Sequence, residues 1–439
     1  MTLKIAIISE HASPLALTGG VDAGGQNIYV AHTARQLAAL GDYQVDVFTR
    51  QDDDRQPEIL HWSRGVRVIH VPAGPAAFVR KEALLPFMDG FSDYVMEFAR
   101  REDYDVVHAN FFMSGLVALK LKQAFGVPFV ITFHALGRVR CLYQHHADRF
   151  PAERFTIEDE IVGEADTIIA ECPQDRADLV QIYHAEMARI RVIPCGFDPA
   201  ELWPIDKIEA RTRLDIPRDA WIVLQLGRMV PRKGIDVVIH GIAALLHDYG
   251  IGVDLVIVGG DSDEPDPKAT PEIGRLMEIA KAEGVEEQVR FVGRKGRAEL
   301  KYYYSAADVF VTTPWYEPFG ITPVEAMACG TPVIGTRVGG IKSTVVDGKT
   351  GFLIGPNDHD ALACRLAQLY RNPALGRVFG QRGIRRANEN YTWQKVAASI
   401  AGLYQEVALG RPRRAAAGYN CRAAMQSALP ALSMLSTSK

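Results

Sequence analysis

Two glutamates, Glu317 and Glu325, bracket a helix start in Trp315-Tyr316-Glu317-Pro318-Phe319-Gly320-Ile321-Thr322-Pro323-Val324-Glu325. Glu317 falls in a loop and Glu325 in the helix, and the free N–H groups around Phe319, Gly320, Ile321 and Thr322 lie between them. One carboxylate can then reach sugar hydroxyls and the other a ribose, with phosphates at the positive helix end. The plain alternative is a capped surface helix, which the nearby glycines and the apolar Ala326-Met327-Ala328 run argue against.

Two further loops carry groups suited to phosphate. Gly227-Arg228-Met229-Val230-Pro231-Arg232-Lys233-Gly234 follows a predicted strand directly. Arg228 can grip phosphate oxygens in a fork, Lys233 adds a point charge, and together they can stabilise the charge on a departing nucleotide. Arg232 is expected to point outward. Thr18-Gly19-Gly20-Val21-Asp22-Ala23-Gly24-Gly25-Gln26-Asn27 opens the first helix, and its glycines let backbone N–H groups approach an anion. Its spacing is not the G-x-G-x-x-G of dinucleotide dehydrogenases. Asp261-Ser262-Asp263 spells a D-x-D metal signature, but it reads as a solvated acidic turn, because Arg228 and Lys233 can do the work of a metal.

These loops all follow predicted strands, and in open α/β sheets ligands bind beyond the carboxyl ends of strands. Short apolar runs alternate with amphipathic helical stretches, from Lys4 to Ile8, a helix over about Asn27 to Leu40 and Gln44 to Phe48, on through Val106-Val107-His108, Phe129-Val130-Ile131-Thr132 and Thr167-Ile168-Ile169-Ala170. That alternation predicts a largely parallel sheet with helices on both faces. The pattern breaks at Ile193-Pro194-Cys195-Gly196-Phe197-Asp198-Pro199 and restarts at Trp221-Ile222-Val223-Leu224. The predicted organisation is a first domain over residues 1–200, a second over 201–390, a helix over 391–409 packing back on the first, and a disordered tail over 411–439.

Bulk properties agree with two ordinary cores. The 439 residues are 48% hydrophobic and 23% charged, and the net charge of −4 gives no sequence-wide attraction to nucleic acid or anionic membrane. Six scattered cysteines make neither a zinc spacing nor a disulfide framework, which fits a reducing cytoplasm. No stretch approaches the roughly 20 apolar residues of a membrane span. Oligomeric state is not legible.

Taken together, the E-x7-E pair, the Gly-Arg-x-x-x-x-Lys-Gly loop and the Asp22-Ala23-Gly24-Gly25-Gln26-Asn27-Ile28-Tyr29-Val30 opening resemble the family 4 retaining glycosyltransferases of GT-B fold. Within them the likeness is to sucrose-phosphate synthases and to the inositol-phosphate N-acetylglucosaminyltransferases of mycothiol synthesis, from about Leu3 to Leu409. The resemblance implies an α/β fold of two Rossmann-like, doubly wound parallel-sheet domains facing across a cleft. It implies a hexosyl transfer from a nucleotide-diphosphate sugar, expected to be a UDP-sugar, to a small sugar or sugar phosphate. Retention by front-face displacement is expected, with no metal and no resident cofactor.

By the same likeness Arg228 and Lys233 bind the donor diphosphate, Glu317 the donor sugar and Glu325 the ribose, with the base near Gly293 and Arg294. Gly24, Gly25, Phe319, Gly320 and Ile321 are expected beside the donor. His134, in Thr132-Phe133-His134-Ala135, is assigned to the cleft wall near the transferred sugar. Gln26, Asn27, Lys81 and Arg154 are expected at the acceptor, whose phosphate Lys81 and Arg154 would hold, while Phe111 and Ala135 stand where the family has hydroxyl-bearing residues. A lipid or polysaccharide acceptor at a membrane surface is the alternative within the family, and a UDP-sugar 2-epimerase the alternative outside it.

Overall fold

The computed structural model describes residues 2–16, 24–144 and 149–410. The expectations for Gly19, Gly20, Asp22 and Ala23 and for the tail 411–439 lie outside the described residues.

The first half is an eight-stranded sheet. Its strands are β1 (Leu3–Ile8), β2 (Tyr43–Arg50), β3 (Ile59–Ser63), β4 (Val66–Val71), β5 (Val106–Asn110), β6 (Phe129–Thr132), β7 (Thr167–Ala170) and β8 (Ile190–Val192). They lie in the order β3-β4-β2-β1-β5-β6-β7-β8. All neighbours pair in parallel except β3, an antiparallel edge strand on β4. Central strands such as β5 and β6 are buried at every residue because helices cover both faces, and the polar His108, Asn110 and Thr132 among them sit in hydrogen bonds. Ile5 sits opposite Val45 on one side and Val106 on the other, so three β-branched side chains meet in one layer.

The second half is a six-stranded parallel sheet of β9 (Ile222–Leu226), β10 (Asp254–Val258), β11 (Val289–Gly293), β12 (Val309–Thr312), β13 (Val333–Thr336) and β14 (Gly351–Ile354), in the order β11-β10-β9-β12-β13-β14. In each sheet the chain steps outward to one side and then returns to build the other. The reversals fall between β1 and β5 and between β9 and β12, where the loops must part and leave a crevice.

The chain passes between the halves twice. Phe197 and Thr392 pair in parallel at the crossing, and Gly196 lies so close to the Tyr391–Trp393 backbone that a Cβ would meet Tyr391 O at 2.9 Å. Trp393, fully buried, opens the last helix among the described residues, Trp393–Leu409. That helix packs on the first-half helix Gly25–Ala39, where Tyr43 Oη donates to Ala401 O and Tyr404 Oη is hydrogen-bonded to buried His108 at 2.6 Å. One apolar cluster therefore runs from Ile5 and Val45 through Trp393 and Tyr391 to Phe319 in the second half. Burial of each such side chain contributes about 1.5–3 kcal/mol, so the crossing is a packed joint and not a loose linker. Among the described residues no helix is long and apolar enough to cross a membrane.

Candidate active site

The two crevices face each other and form one cleft. Its first-half wall is built at strand ends. Asn110 closes β5, and the next residue, Phe111, is held at φ 82°, ψ 161° before the helix Phe112–Phe125. His134, two residues past β6, has φ 56°. Non-glycine residues in these regions persist only where their surroundings over-determine them, and here both line the cleft.

His134 is locked from both sides. Its Nδ1 is hydrogen-bonded to Glu171 Oε1 at 2.9 Å and its Nε2 to Asn110 Oδ1 at 3.0 Å. Asn110 Nδ2 donates to the carbonyls of Ile8 and His108, which fixes the amide, and Tyr29 packs edge-on to the imidazole at 4.9 Å. Cys195 Sγ donates to Glu171 Oε1 as well. Behind Glu171, Asp175 is pushed up to about 8 by its burial and by the Glu171 charge, and it accepts the Glu171 backbone N–H at 2.9 Å.

The second-half wall carries the charges. After β9 the loop bends through Gly234 at φ 63°, where a Cβ would stand 2.0 Å from Thr313 O, so the Lys233 turn is pressed against the end of β12. Lys233 Nζ donates to Glu317 Oε2. Gly320, at φ 89°, begins the helix Ile321–Ala328 with no side chain capping it, which leaves its amide end turned to the cleft that Phe319 to Thr322 line. Glu325, only 1% exposed, accepts from Arg297 Nη1 at 3.1 Å and from Tyr304 Oη at 2.9 Å.

Burial pushes Lys233 down to about 8, with Arg232 and Arg228 adding repulsion and Glu317 opposing it. Arg232 is pushed down to about 10, by burial first and by Arg228 second. Burial would raise Glu317, but Lys233, Arg232 and Arg228 outweigh it and leave its carboxyl below the ordinary range. Three cations thus share one carboxylate. Such a site has a standing excess of positive charge, which a diphosphate would satisfy.

The halves approach closely. A Cβ on Gly24 would lie 3.4 Å from Arg228 Nε, and one on Gly25 3.5 Å from Ile321 Cδ1. Tyr143 stacks on Tyr316 across the cleft at 5.1 Å. Gln26 donates to Ser9 Oγ and Asn110 O, while Asn27 is buried and accepts from Gly24 N at 2.9 Å.

Of the residues singled out in the sequence, the cleft gathers Gly24, Gly25, Gln26, Asn27, Lys81, His134, Arg228, Lys233, Arg294, Glu317, Phe319, Gly320, Ile321 and Glu325. Arg154 is not among them. It is 1% exposed, its Nε donates to Glu158 Oε1 at 2.7 Å, its Nη2 donates to Ala135 O, and Phe111, Phe112 and Phe150 pack on the guanidinium. On the first-half side of the cleft, the guanidinium that lines it along with Lys81 is that of Arg140. Arg232 is the second correction: it lines the cleft, because the turn Pro231–Lys233 packs inward. Glu171, Asn110 and Arg297 were passed over in the sequence. Asn110 and Glu171 stand at strand ends, the same signal that marked His134.

With this geometry in view, the comparisons with known proteins divide along the same line. Residues 24–196 match the glycosyl transferase 4-like domain, and residues 206–386 match glycosyl transferases group 1. The chain is 35% identical over 425 residues to the D-inositol 3-phosphate glycosyltransferase of Corynebacterium efficiens, covering 94% of this chain and 99% of that one. It is 35% identical over 408 residues to that of Actinosynnema mirum, covering 91% and 96%. Among solved structures it is similar to sucrose-phosphate synthase from Thermosynechococcus elongatus, with TM-score 0.85, 34% identity and coverage of 92% and 99%.

Proposed function

The chain belongs to the group 1 glycosyl transferases of GT-B fold, and from that premise we propose a retaining transfer of a hexosyl group from a UDP-sugar to a small phosphorylated carbohydrate. The convergence of Arg228, Arg232 and Lys233 on a single carboxylate, opposite the Gly24 backbone, carries this reading. The donor diphosphate takes the place between these cations and the uncapped amide end before Ile321, with Glu325 toward the ribose and Glu317 toward the sugar.

In the transfer, the bond from the anomeric carbon to the diphosphate oxygen breaks while the acceptor hydroxyl forms its bond on the same face. The leaving phosphate oxygen takes the hydroxyl proton. Arg228 and Lys233 stabilise the charge that grows on the diphosphate, and no metal is needed for that step. No carboxylate is required as a nucleophile, since Glu317 is committed to Lys233 and Glu171 to His134. His134, fixed in a left-handed backbone conformation, forms the wall beside the sugar.

The relatives differ in acceptor, inositol phosphate in one case and the sucrose-phosphate synthase reaction in the other, and they are matched at nearly equal identity. Both names carry a phosphate. Lys81 and Arg140 are cations that the first half contributes to the cleft lining, which favours a phosphorylated acceptor here too. The test is a panel of UDP-glucose, UDP-N-acetylglucosamine, GDP-mannose and ADP-glucose in EDTA, against sugar and inositol phosphates and their dephosphorylated forms. Nucleotide diphosphate release that depends on a phosphorylated acceptor is expected. Equal release with the dephosphorylated compound refutes the acceptor, and epimerised donor without any acceptor refutes transfer itself.

A further inference from the structure

We propose that His32, Asp198 and Glu201 form a site for one divalent transition-metal ion at the joint between the two halves, apart from the transfer cleft. His32 lies on the helix Gly25–Ala39, and Asp198 and Glu201 lie on the connecting chain just after the Phe197–Thr392 bridge. None of the three lines the transfer cleft.

His32 is 5% exposed, and its ring is stacked on Trp393 at 5.2 Å with planes 2° apart. Nδ1 lies 3.8 Å from Asp198 Oδ2 and Nε2 lies 3.7 Å from Glu201 Oε1. Those separations are too long for hydrogen bonds. They approach the spacing of two ligands on one ion, about 3–3.5 Å when each ligand stands about 2.1 Å from the metal. Offering one atom each, the three residues place their ligand atoms within 4.8 Å of one another. Only one ring nitrogen can ligate, so small side-chain rotations complete the set.

Each carboxylate keeps its second oxygen engaged elsewhere, and the first is left facing the imidazole. Asp198 Oδ1 accepts from Ala200 N at 2.8 Å, and Glu201 Oε2 accepts from Arg297 Nε at 2.7 Å. Outer hydrogen bonds of this kind orient the ligands of metal sites. Arg297 is also paired with Glu325, at 3.1 Å, so one guanidinium is divided between two carboxylates, and Asp198 adds a third negative charge beside the imidazole. A second cavity, between the halves, opens on His32 and Glu201, with Arg35, Arg294 and Lys295 as well as Asp263 and Glu299 on its walls, and gives water and ions a path to the remaining coordination positions. One imidazole with two carboxylates suits zinc, cobalt or manganese and not magnesium. Bound there, the ion pins the connecting chain to the first half, and through Glu201–Arg297–Glu325 it is linked to the ribose end of the donor site.

The site is tested by binding alone, so failure of the transfer reading leaves it untouched. Full-length protein stripped with EDTA and dialysed is titrated with cobalt(II), and the visible bands are followed. The structure predicts one saturable equivalent in the wild type. His32→Phe keeps the stack on Trp393 and Asp198→Asn keeps the acceptor for Ala200 N, and each should weaken binding at least about tenfold with unchanged circular dichroism. His240→Ala removes a surface imidazole beside His359 and should change nothing. No saturable signal in the wild type, or equal binding by the wild type and the folded variants, overturns the proposal. X-ray absorption of zinc-loaded wild type needs no variant: one imidazole with oxygen donors is expected, and several imidazoles or a thiolate would overturn it.

Discussion

Removing the Arg232 charge should move the alkaline limit of donor capture. Lys233 is held at about 8 against an ordinary 10.5, mainly by burial, with Arg232 and Arg228 contributing. That difference amounts to about 3 kcal/mol against the ammonium in the free protein, at about 1.36 kcal/mol per unit. A bound diphosphate supplies the missing anion and returns much of this. The direction follows from the lowered value. Below about 8 Lys233 is charged and ready for donor, and as pH rises through about 8 the charge is lost. For the donor, kcat/KM should then fall about tenfold for each unit above that point, while kcat, which reports the occupied site, holds to higher pH. Glu317 stays ionised throughout, since its carboxyl is held below the ordinary range. Arg232→Gln takes away one of the repelling charges and should shift the kcat/KM limb up by about one unit. The assay is initial-rate kinetics with varied donor across about pH 6.5–9.5. A limb that stays in place in the variant, or appears equally in kcat, refutes the reasoning.

Other outcomes follow from the same geometry. Arg228→Ala should lower kcat about 10²–10³-fold by removing a charge aimed at the leaving diphosphate, measured as product formed under saturating donor. Arg154→Ala should destabilise the fold by about 3–5 kcal/mol in denaturant titrations, because Glu158 is left buried without its counter-ion; a stable variant with a raised acceptor KM would restore Arg154 to the acceptor site. Gly234→Ala should cost about 1–3 kcal/mol and weaken donor binding together, since a Cβ there would stand 2.0 Å from Thr313 O. Lys81→Ala and Arg140→Ala should each raise KM for a phosphorylated acceptor about tenfold or more and leave kcat nearly unchanged, read by varying acceptor at fixed donor.

The parts of the site that follow strand ends in sequence were the legible parts. Arg228, Lys233, His134 and Glu317 each lie in the loop that follows an apolar strand and Glu325 in the helix after such a loop, and the βα alternation places them at the carboxyl ends of the two sheets. Arg154 failed because its fate depends on partners four residues on and far along the chain. Glu158 follows it at helical spacing, a visible signal for an internal ion pair, but two of the phenylalanines that enclose it, Phe111 and Phe112, come from the start of another helix, with Phe150 the third. Arg232 reads as a solvated turn residue until the turn is seen to pack inward beneath Trp315 N, which donates to its carbonyl at 3.0 Å. A helix over 391–409 returning to the first half is expected from the sequence, while the stacking of Trp393 on His32 exists only in three dimensions.

The most direct test of the central claim is proton NMR of the reaction of wild-type protein with an α-configured UDP-sugar and a phosphorylated acceptor in EDTA, followed through the anomeric region. The account predicts that the donor anomeric signal is replaced by a product signal of the same α configuration as UDP accumulates. A β-configured product, or loss of donor to free sugar without a new glycosidic bond, would contradict it.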